Sequence, residues 1–253
     1  MTGAPENILK RRLAAGEYTR GCWLNLCSDT AAEVAASAGF DWVLVDAEHS
    51  PNEVTGTLAQ LRAAAIHGCP AAVRVPGHDD WIAKRYLDIG AQTVMFPMVR
   101  SVAEAEACVA ACLYPPEGRR GVGASLGRAS GYSSFPDYPT TANGQICVVL
   151  QVETGAALDA AGDIAAVEGV DCVFIGPADL HADLGFLGTT REPSVLRRME
   201  QAIGRIREAG AAAGMLEFDL AHEAQWRDAG VTMMAVGSDM TAMIQGLRAT
   251  ARP

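Results

Sequence analysis

The chain has 253 residues, with 20 lysines and arginines against 30 aspartates and glutamates and a formal charge of −10. That acidic surplus excludes a role tracking nucleic-acid phosphates, which needs a net basic face to release counterions, and it argues against a basic helix lying on a membrane. With 49% hydrophobic and 20% charged residues the composition is globular, and the length suits two small domains or one large α/β barrel of roughly 250 residues.

Met1 to Gly21 carries Lys10, Arg11 and Arg12 with no apolar run behind them, so a secretory leader is not expected. Nowhere do ~18 apolar residues follow one another, as a membrane-spanning helix requires. The seven cysteines include no C-x-x-C pair and read as reduced, mostly buried thiols of a cytoplasmic protein. Cys108 and Cys112, four apart on a predicted helix, read as core filling rather than as a nucleophile.

In chain order, a first helix is predicted near Glu6–Leu13, with Ile8, Leu9 and Leu13 on one face to cap the bottom of a barrel. Short apolar runs then recur at Cys22–Leu26, Trp42–Asp46, Ala71–Val75, Thr93–Pro97, Cys147–Val152, Cys172–Ile175, Gly214–Phe218 and Met233–Val236. These are continuous runs rather than alternations, as parallel strands covered on both faces require. Alanine-rich helical stretches separate them. Ser50-Pro51-Asn52-Glu53 offers an N-cap with proline at the first helical position, and Ser101-Val102-Ala103-Glu104 a capping box before Ala105–Leu113. Gly39, Gly68, Gly90 and Gly230 each follow a helical run, where a left-handed residue ends a helix.

Eight strand–helix units with no linker rich in Pro, Ser or charge point to one (β/α)8 TIM barrel over residues 1–253, with an extra N-terminal helix, and no separate second domain. The irregular stretch is Tyr114 to Gln145, rich in Gly, Ser, Pro and Arg and longer than a simple crossover.

In such a barrel the site collects at the carboxyl ends of the strands. There the sequence places Asp46-Ala47-Glu48-His49, Arg74, Gln151 with Glu153, Gly176-Pro177-Ala178-Asp179, and Gly237-Ser238-Asp239. Glu153 and Asp179 leave neighbouring strands. Two converging carboxylates need a proton or a divalent cation between them, and oxygen donors suit Mg²⁺ or Mn²⁺; helix caps or salt bridges are the other reading. Asp46 three residues before His49 could fix its tautomer for proton abstraction, or His49 could simply sit at the rim. Among the other histidines only His181 is placed near the rim, the rest on surface or caps. Arg74, inside an apolar strand, needs an anionic partner: the acid cluster, or a substrate carboxylate or oxyanion. Gly176 to Asp179 lead into a helical turn whose amides suit a carboxylate better than a phosphate, since no G-x-G-x-x-G or Walker sequence is present.

Five segments occur together in order: Val45–Asn52, Val73-Arg74, Pro115–Gly123, Gln151–Thr154 and Phe174–Leu180. They resemble the HpcH/HpaI aldolase family of metal-dependent class II pyruvate aldolases, over about Gly21 to Asp239. The resemblance implies a (β/α)8 barrel whose last helix is exchanged between subunits of a homohexamer built as a trimer of dimers. It implies Glu153 and Asp179 as ligands of Mg²⁺, Mn²⁺ or Co²⁺, with pyruvate held by its keto and carboxylate oxygens, Gln151, Gly176 and Pro177 lining its place, and amides near Ala178 and Asp179 on its carboxylate. Arg74 would face the enolate oxygen, His49 with Asp46 would be the acid/base, and Asp88 would act across a subunit boundary. Ala47 and Phe218-Asp219 depart from the family pattern, the latter bearing on the substrate's far end.

The implied reaction is reversible cleavage of a 4-hydroxy-2-keto acid to pyruvate and an aldehyde, a lyase step of aromatic or sugar acid catabolism. No strand-end lysine offers a Schiff base, Lys84 being the nearest. Two alternatives stay open. One is a relative cleaving a CoA thioester, its basic patch drawn from Arg119, Arg120 and Arg128. The other is a non-catalytic oligomeric barrel that binds metal or carboxylate. The Arg119–Tyr138 loop, with Ser125, reads either as an anion contact for an acidic or hydroxylated aldehyde or as a solvated cluster.

Overall fold

The computed structural model describes residues 2–251; residues 1, 252 and 253 of the expected span lie outside them. All eight apolar runs become strands: β1 (Thr19–Leu24), β2 (Trp42–Asp46), β3 (Ala71–Arg74), β4 (Thr93–Phe96), β5 (Cys147–Val152), β6 (Cys172–Ile175), β7 (Ala212–Leu216) and β8 (Val231–Ser238). They close in sequence order into one parallel barrel. β1 starts at Thr19, earlier than its apolar run, because exposed Arg20 interrupts the run while its backbone still pairs with Met234.

Between and around the strands lie α1 (Ile8–Ala14), α2 (Asp29–Ser37), α3 (Val54–Ile66), α4 (Asp80–Asp88), α5 (Val102–Cys112), α6 (Tyr138–Thr141), α7 (Gly155–Asp159), α8 (Ala161–Ala165), α9 (Pro177–Asp183), α10 (Pro193–Glu208), α11 (Glu223–Ala229) and α12 (Asp239–Ala251). Outward strand residues such as Val43, Val73, Val94, Val148 and Val173 form the main core against the helices. Inward ones, including Trp42, Leu44, Met95, Val149 and Phe174, fill the barrel itself. Gly21 is needed there, since any side chain would collide with the Trp42 indole.

The N-terminal helix plugs the bottom of this inner core with Leu9 and Leu13, whereas Ile8, expected on the same face, is exposed. Asn7 caps α1 through its Oδ1, which accepts from the Lys10 amide. Its Nδ2 donates to Gln92 O, Thr93 Oγ1 and Gln145 O at 3.1–3.2 Å, tying the plug to the strand starts.

Helix ends follow the sequence where they are local. Ser101 accepts from the Glu104 amide at 3.2 Å, and Gly39, Gly68, Gly90 and Gly230 all have positive φ. The cap read at Ser50 is wrong: α3 begins at Val54, after Glu53. Ser50 Oγ instead accepts from Asn25 Nδ2 at 2.8 Å, and Asn52 Nδ2 donates to Asp46 O at 2.7 Å, so both residues brace the loop leaving β2.

The stretch from Tyr114 to Gln145 folds on the strand-start face, because α5 has carried the chain back there. It holds α6 and a small core of Tyr114, Ala124, Tyr138 and Ala142. α12 buries none of its side chains: Met240, Met243, Ile244 and Leu247 are exposed beside an apolar groove of about 890 Å³ shared with α2.

Candidate active site

Asp46 and Arg74 are the last residues of adjacent strands and stand opposite each other in register. The guanidinium grips the carboxylate with both forks: Nε donates to Oδ1 at 2.9 Å and Nη2 to Oδ2 at 2.7 Å. Burial alone would raise the Asp46 carboxyl, but these bonds, with the Glu48 and His49 amides, hold it below the usual range. Arg74 Nη1 lies 3.0 Å from Glu48 Oε2 and 3.5 Å from Gln151 Oε1, and its guanidinium stacks 5.2 Å from the Trp23 ring. Arg74 is thus the cation of an acid cluster as well as a strand-end group.

The expected pairing of Asp46 with the His49 imidazole does not form. The Asp46 oxygens are taken by Arg74, by Asn25 Nδ2 and by backbone amides, and His49 contributes only its own N–H. Its ring is exposed and lies 3.8 Å from Glu48 Oε2. An acid three residues before a histidine on a tight loop presents its carboxylate to the backbone rather than to the ring.

Glu153 follows β5 and Asp179 lies in the first turn of α9, after β6, so neighbouring strands deliver both residues to the cavity that Arg74 also lines. Glu153 is 3% exposed, its Oε2 accepting from the Met98 amide at 2.9 Å. Met98 holds a left-handed backbone, φ 51°, to aim that amide. Burial, reinforced by Glu48 and Asp179 and only partly opposed by Met98 and Arg74, pushes Glu153 up to about 7. Burial likewise raises Glu48, whose Oε2 is enclosed without a hydrogen bond. Gly176 is glycine because a Cβ would come within 2.5 Å of Glu153 Oε1 and 3.0 Å of Gln151 Nε2. Pro177 opens α9 after it, as expected.

Asp46 and Glu48 therefore pair with one guanidinium, buried Glu153 lies near it, and exposed Asp179 lines the same cavity, so the formal charges of these groups sum to an excess of negative charge. Such a set is short of positive charge, and its donors are hard oxygens, so it fits a divalent cation of the Mg²⁺ or Mn²⁺ type. Among the described residues no three His, Cys, Asp or Glu side chains gather as a closed cage.

Several sequence expectations separate from this cluster. Asp88, the last residue of α4, lies at the opposite end of the barrel, its Oδ1 accepting from Arg120 Nη2 at 2.7 Å. Arg119 pairs with Asp80 at 2.5–2.8 Å, Arg120 is buried with its guanidinium 4.4 Å from the Tyr114 ring, and Arg128 donates to Ile89 O. The three arginines do not form one cluster: Arg119 is half exposed and paired with Asp80 at the start of α4, while Arg120 and Arg128 are drawn to Asp88 and Ile89 at its end, and none lines the cavity of its own chain. His181 is fully buried with Nδ1 against Pro177 O, not at the rim, because α9 turns inward there. Both lysines of the chain are accounted for: Lys10 pairs with Asp171 at 2.6 Å, and Lys84 lies on α4. Cysteines 108 and 112 are core, with thiols that burial pushes well up.

The sequence named Glu48 but gave it no role, and it passed over Trp23, Asn25 and Met98. An inward position near a strand end is the one signal that marked Trp23. Asp239 was flagged as a strand end; it accepts from the Asn25 and Leu26 amides at 2.8 and 3.2 Å and ties β8 to β1. A cavity of about 440 Å³ opens from Arg74, Glu153 and Asp179 past Leu216 to Glu217 and Trp226.

The family model for HpcH/HpaI aldolase/citrate lyase matches residues 19–246. The hydroxypyruvate/pyruvate aldolase of Roseovarius nubinhibens is 46% identical over 98% of this chain and 96% of its own. The 4-hydroxy-2-oxo-heptane-1,7-dioate aldolase of Shigella sonnei is 45% identical over 97% and 94%. The crystal structure of an HpcH/HpaI aldolase/citrate lyase family protein from Burkholderia cenocepacia superposes with a TM-score of 0.92 at 41% identity, covering 96% of this chain and 97% of that one.

Proposed function

The chain belongs to the HpcH/HpaI aldolase/citrate lyase family, and from that premise we propose a class II aldolase that cleaves a 4-hydroxy-2-keto acid to pyruvate and an aldehyde. The observation that carries this reading is the set of acids gathered with Arg74 at the strand ends, Asp46 and Glu48 paired to it and Glu153 pushed up to about 7 by burial. Glu153 and Asp179 would hold a divalent metal, Mg²⁺, Mn²⁺ or Co²⁺. Bound there, such an ion supplies Lewis acidity to a keto oxygen and offsets the excess charge.

The chain's own groups do the rest. The first-turn amides of Ala178 and Asp179, free of the helix ladder, receive the pyruvate carboxylate, with Gly176 and Pro177 allowing its approach and Gln151 beside it. Arg74, fixed by Asp46, keeps Nη1 directed at the cluster, where it stabilises the enolate oxygen. In the cleavage direction a base takes the 4-hydroxyl proton, the C3–C4 bond breaks, and its electron pair forms the enolate of pyruvate as the aldehyde leaves. The enolate then takes a proton at its methylene carbon. His49, exposed on the loop leaving β2 beside Glu48, carries these protons. Asp46 serves it only through backbone and through Arg74, and Asp88 acts in the site of a neighbouring subunit.

The bare apolar side chains of α12 support exchange of that helix between subunits of a homohexamer, and the buried free thiols support a cytoplasmic setting. No described helix is long and apolar enough to cross a membrane. One barrel over 1–253 accounts for the chain as a single domain. The test is a screen of 4-hydroxy-2-keto acids with coupled pyruvate detection. We expect EDTA to abolish turnover and Mg²⁺, Mn²⁺ or Co²⁺ to restore it; full activity in excess EDTA overturns the proposal.

A further inference from the structure

β7 leaves the barrel through Leu216-Glu217-Phe218-Asp219, which puts two acids at a strand end that holds no other part of the machinery. Glu217 is mostly buried, with a side chain 14% exposed. Its Oε2 accepts from Trp226 Nε1 and Arg191 Nη1, both at 3.2 Å, and its Oε1 accepts from the Asp219 amide at 3.0 Å. A carboxylate offers about four acceptor positions, so three are filled and one remains. Three donors on different segments hold the group still.

This carboxylate lines the same 440 Å³ cavity that begins at Glu153, Asp179 and Arg74. With the keto-acid end of a substrate at those residues, the remaining space, walled by Thr190, Glu217, Phe218, Asp219 and Trp226, is left for the aldehyde. Arg191 is not on that wall: its guanidinium stands behind Glu217, committed to it. Among the described residues of this chain the far end of the cavity is therefore lined by acids and offers a second carboxylate no unpaired lysine or arginine. A carboxylate there would meet the Glu217 oxygens while the one guanidinium beside them, Arg191, is already bonded to Glu217, whereas a hydroxyl could donate to the acceptor position left on Glu217.

We propose that Glu217 is a specificity-determining residue that selects an uncharged, hydroxyl-bearing aldehyde and rejects one ending in a carboxylate, an assignment that rests on the aldolase reading above. Its position is fixed in advance, so it costs no reorganisation when the aldehyde enters. Asp219, held by the Ala221 amide at 3.0 Å and by His222 at 3.2 Å, extends the same acidic wall.

Metal-dependent exchange of pyruvate methyl protons in D2O, with no aldehyde present, is measured first on the wild-type protein. Absence of exchange overturns the aldolase reading and is read separately from specificity. Addition of pyruvate to D-glyceraldehyde and to succinic semialdehyde is then compared as kcat/KM. The wild-type protein should favour glyceraldehyde about tenfold or more, and Glu217→Gln, which keeps shape and removes charge, should shrink that preference about tenfold. Asp219→Asn should shift the ratio in the same direction and reports on the wall if Glu217→Gln fails to fold. A wild-type preference for succinic semialdehyde, or an unchanged ratio in every folded variant, overturns the assignment.

Discussion

The two ends of the barrel treat charge in opposite ways. At the strand starts, Lys10 meets Asp171, Arg12 meets Asp41, and Asn7 spends its amide on three acceptors. At the strand ends, Asp46 and Glu48 share Arg74, and Glu153 beside them is driven toward neutrality by burial. One end is satisfied and serves stability. The other is held short of positive charge by a frame rigid enough to prevent its relaxation, which is the state a binding site must keep in advance of its ligand.

Breaking the strained end should show in rate. Arg74→Lys keeps one positive charge but loses the two-pronged grip on Asp46, and steady-state kinetics should give a kcat about 10²–10³ lower. Truncation to alanine is a poorer probe, because it would strand the buried Asp46 carboxylate at a cost of about 3–5 kcal/mol. A lysine variant within threefold of wild type would remove Arg74 from the chemistry.

The same end should also show in stability without metal. Glu153 has a folded pKa of about 7 against an ordinary 4.5, so the folded state holds its proton more tightly than the unfolded chain. Its contribution is complete below about pH 4.5 and disappears as pH rises through about 7. Glu153→Gln should therefore stabilise the metal-stripped protein at pH 8 by on the order of 2–3 kcal/mol and change it little at pH 4.5. Urea titrations at the two pH values test this; equal effects at both would refute the assignment of strain to that carboxyl.

The satisfied end should answer in the other currency. Asn7→Ala removes a cap and three further bonds, and should lower unfolding free energy by about 1–2 kcal/mol with kcat unchanged. The smallest effect is expected at Arg119, an exposed partner of Asp80: Arg119→Ala should cost at most about 0.5–1 kcal/mol in thermal unfolding and leave aldehyde preference alone. A marked change in that preference would bring the long loop to the substrate after all.

The strand order was legible because most strands are short unbroken apolar runs and several helices end at a glycine with positive φ, Gly39, Gly68, Gly90 and Gly230, signals carried within ten residues or so. The strand-end rule then pointed to Asp46, His49, Arg74, Glu153 and Asp179, and Arg74 with all three acids does meet at one end. What failed was partner choice. Spacing joined Asp46 to His49, while barrel register joined it to Arg74, 28 residues on.

The sequence by itself determined a parallel barrel and an acidic, metal-suited set of strand ends, since periodicity and chain direction need no knowledge of neighbours. Only the tertiary structure decided that Asp88 and Arg120 lie on the far face, that α12 leaves its apolar side chains exposed, and that Glu217 walls the cavity. Those outcomes depend on which segments close in space. Charge and hydrogen bonding act over a few ångströms, and a linear sequence does not record those distances.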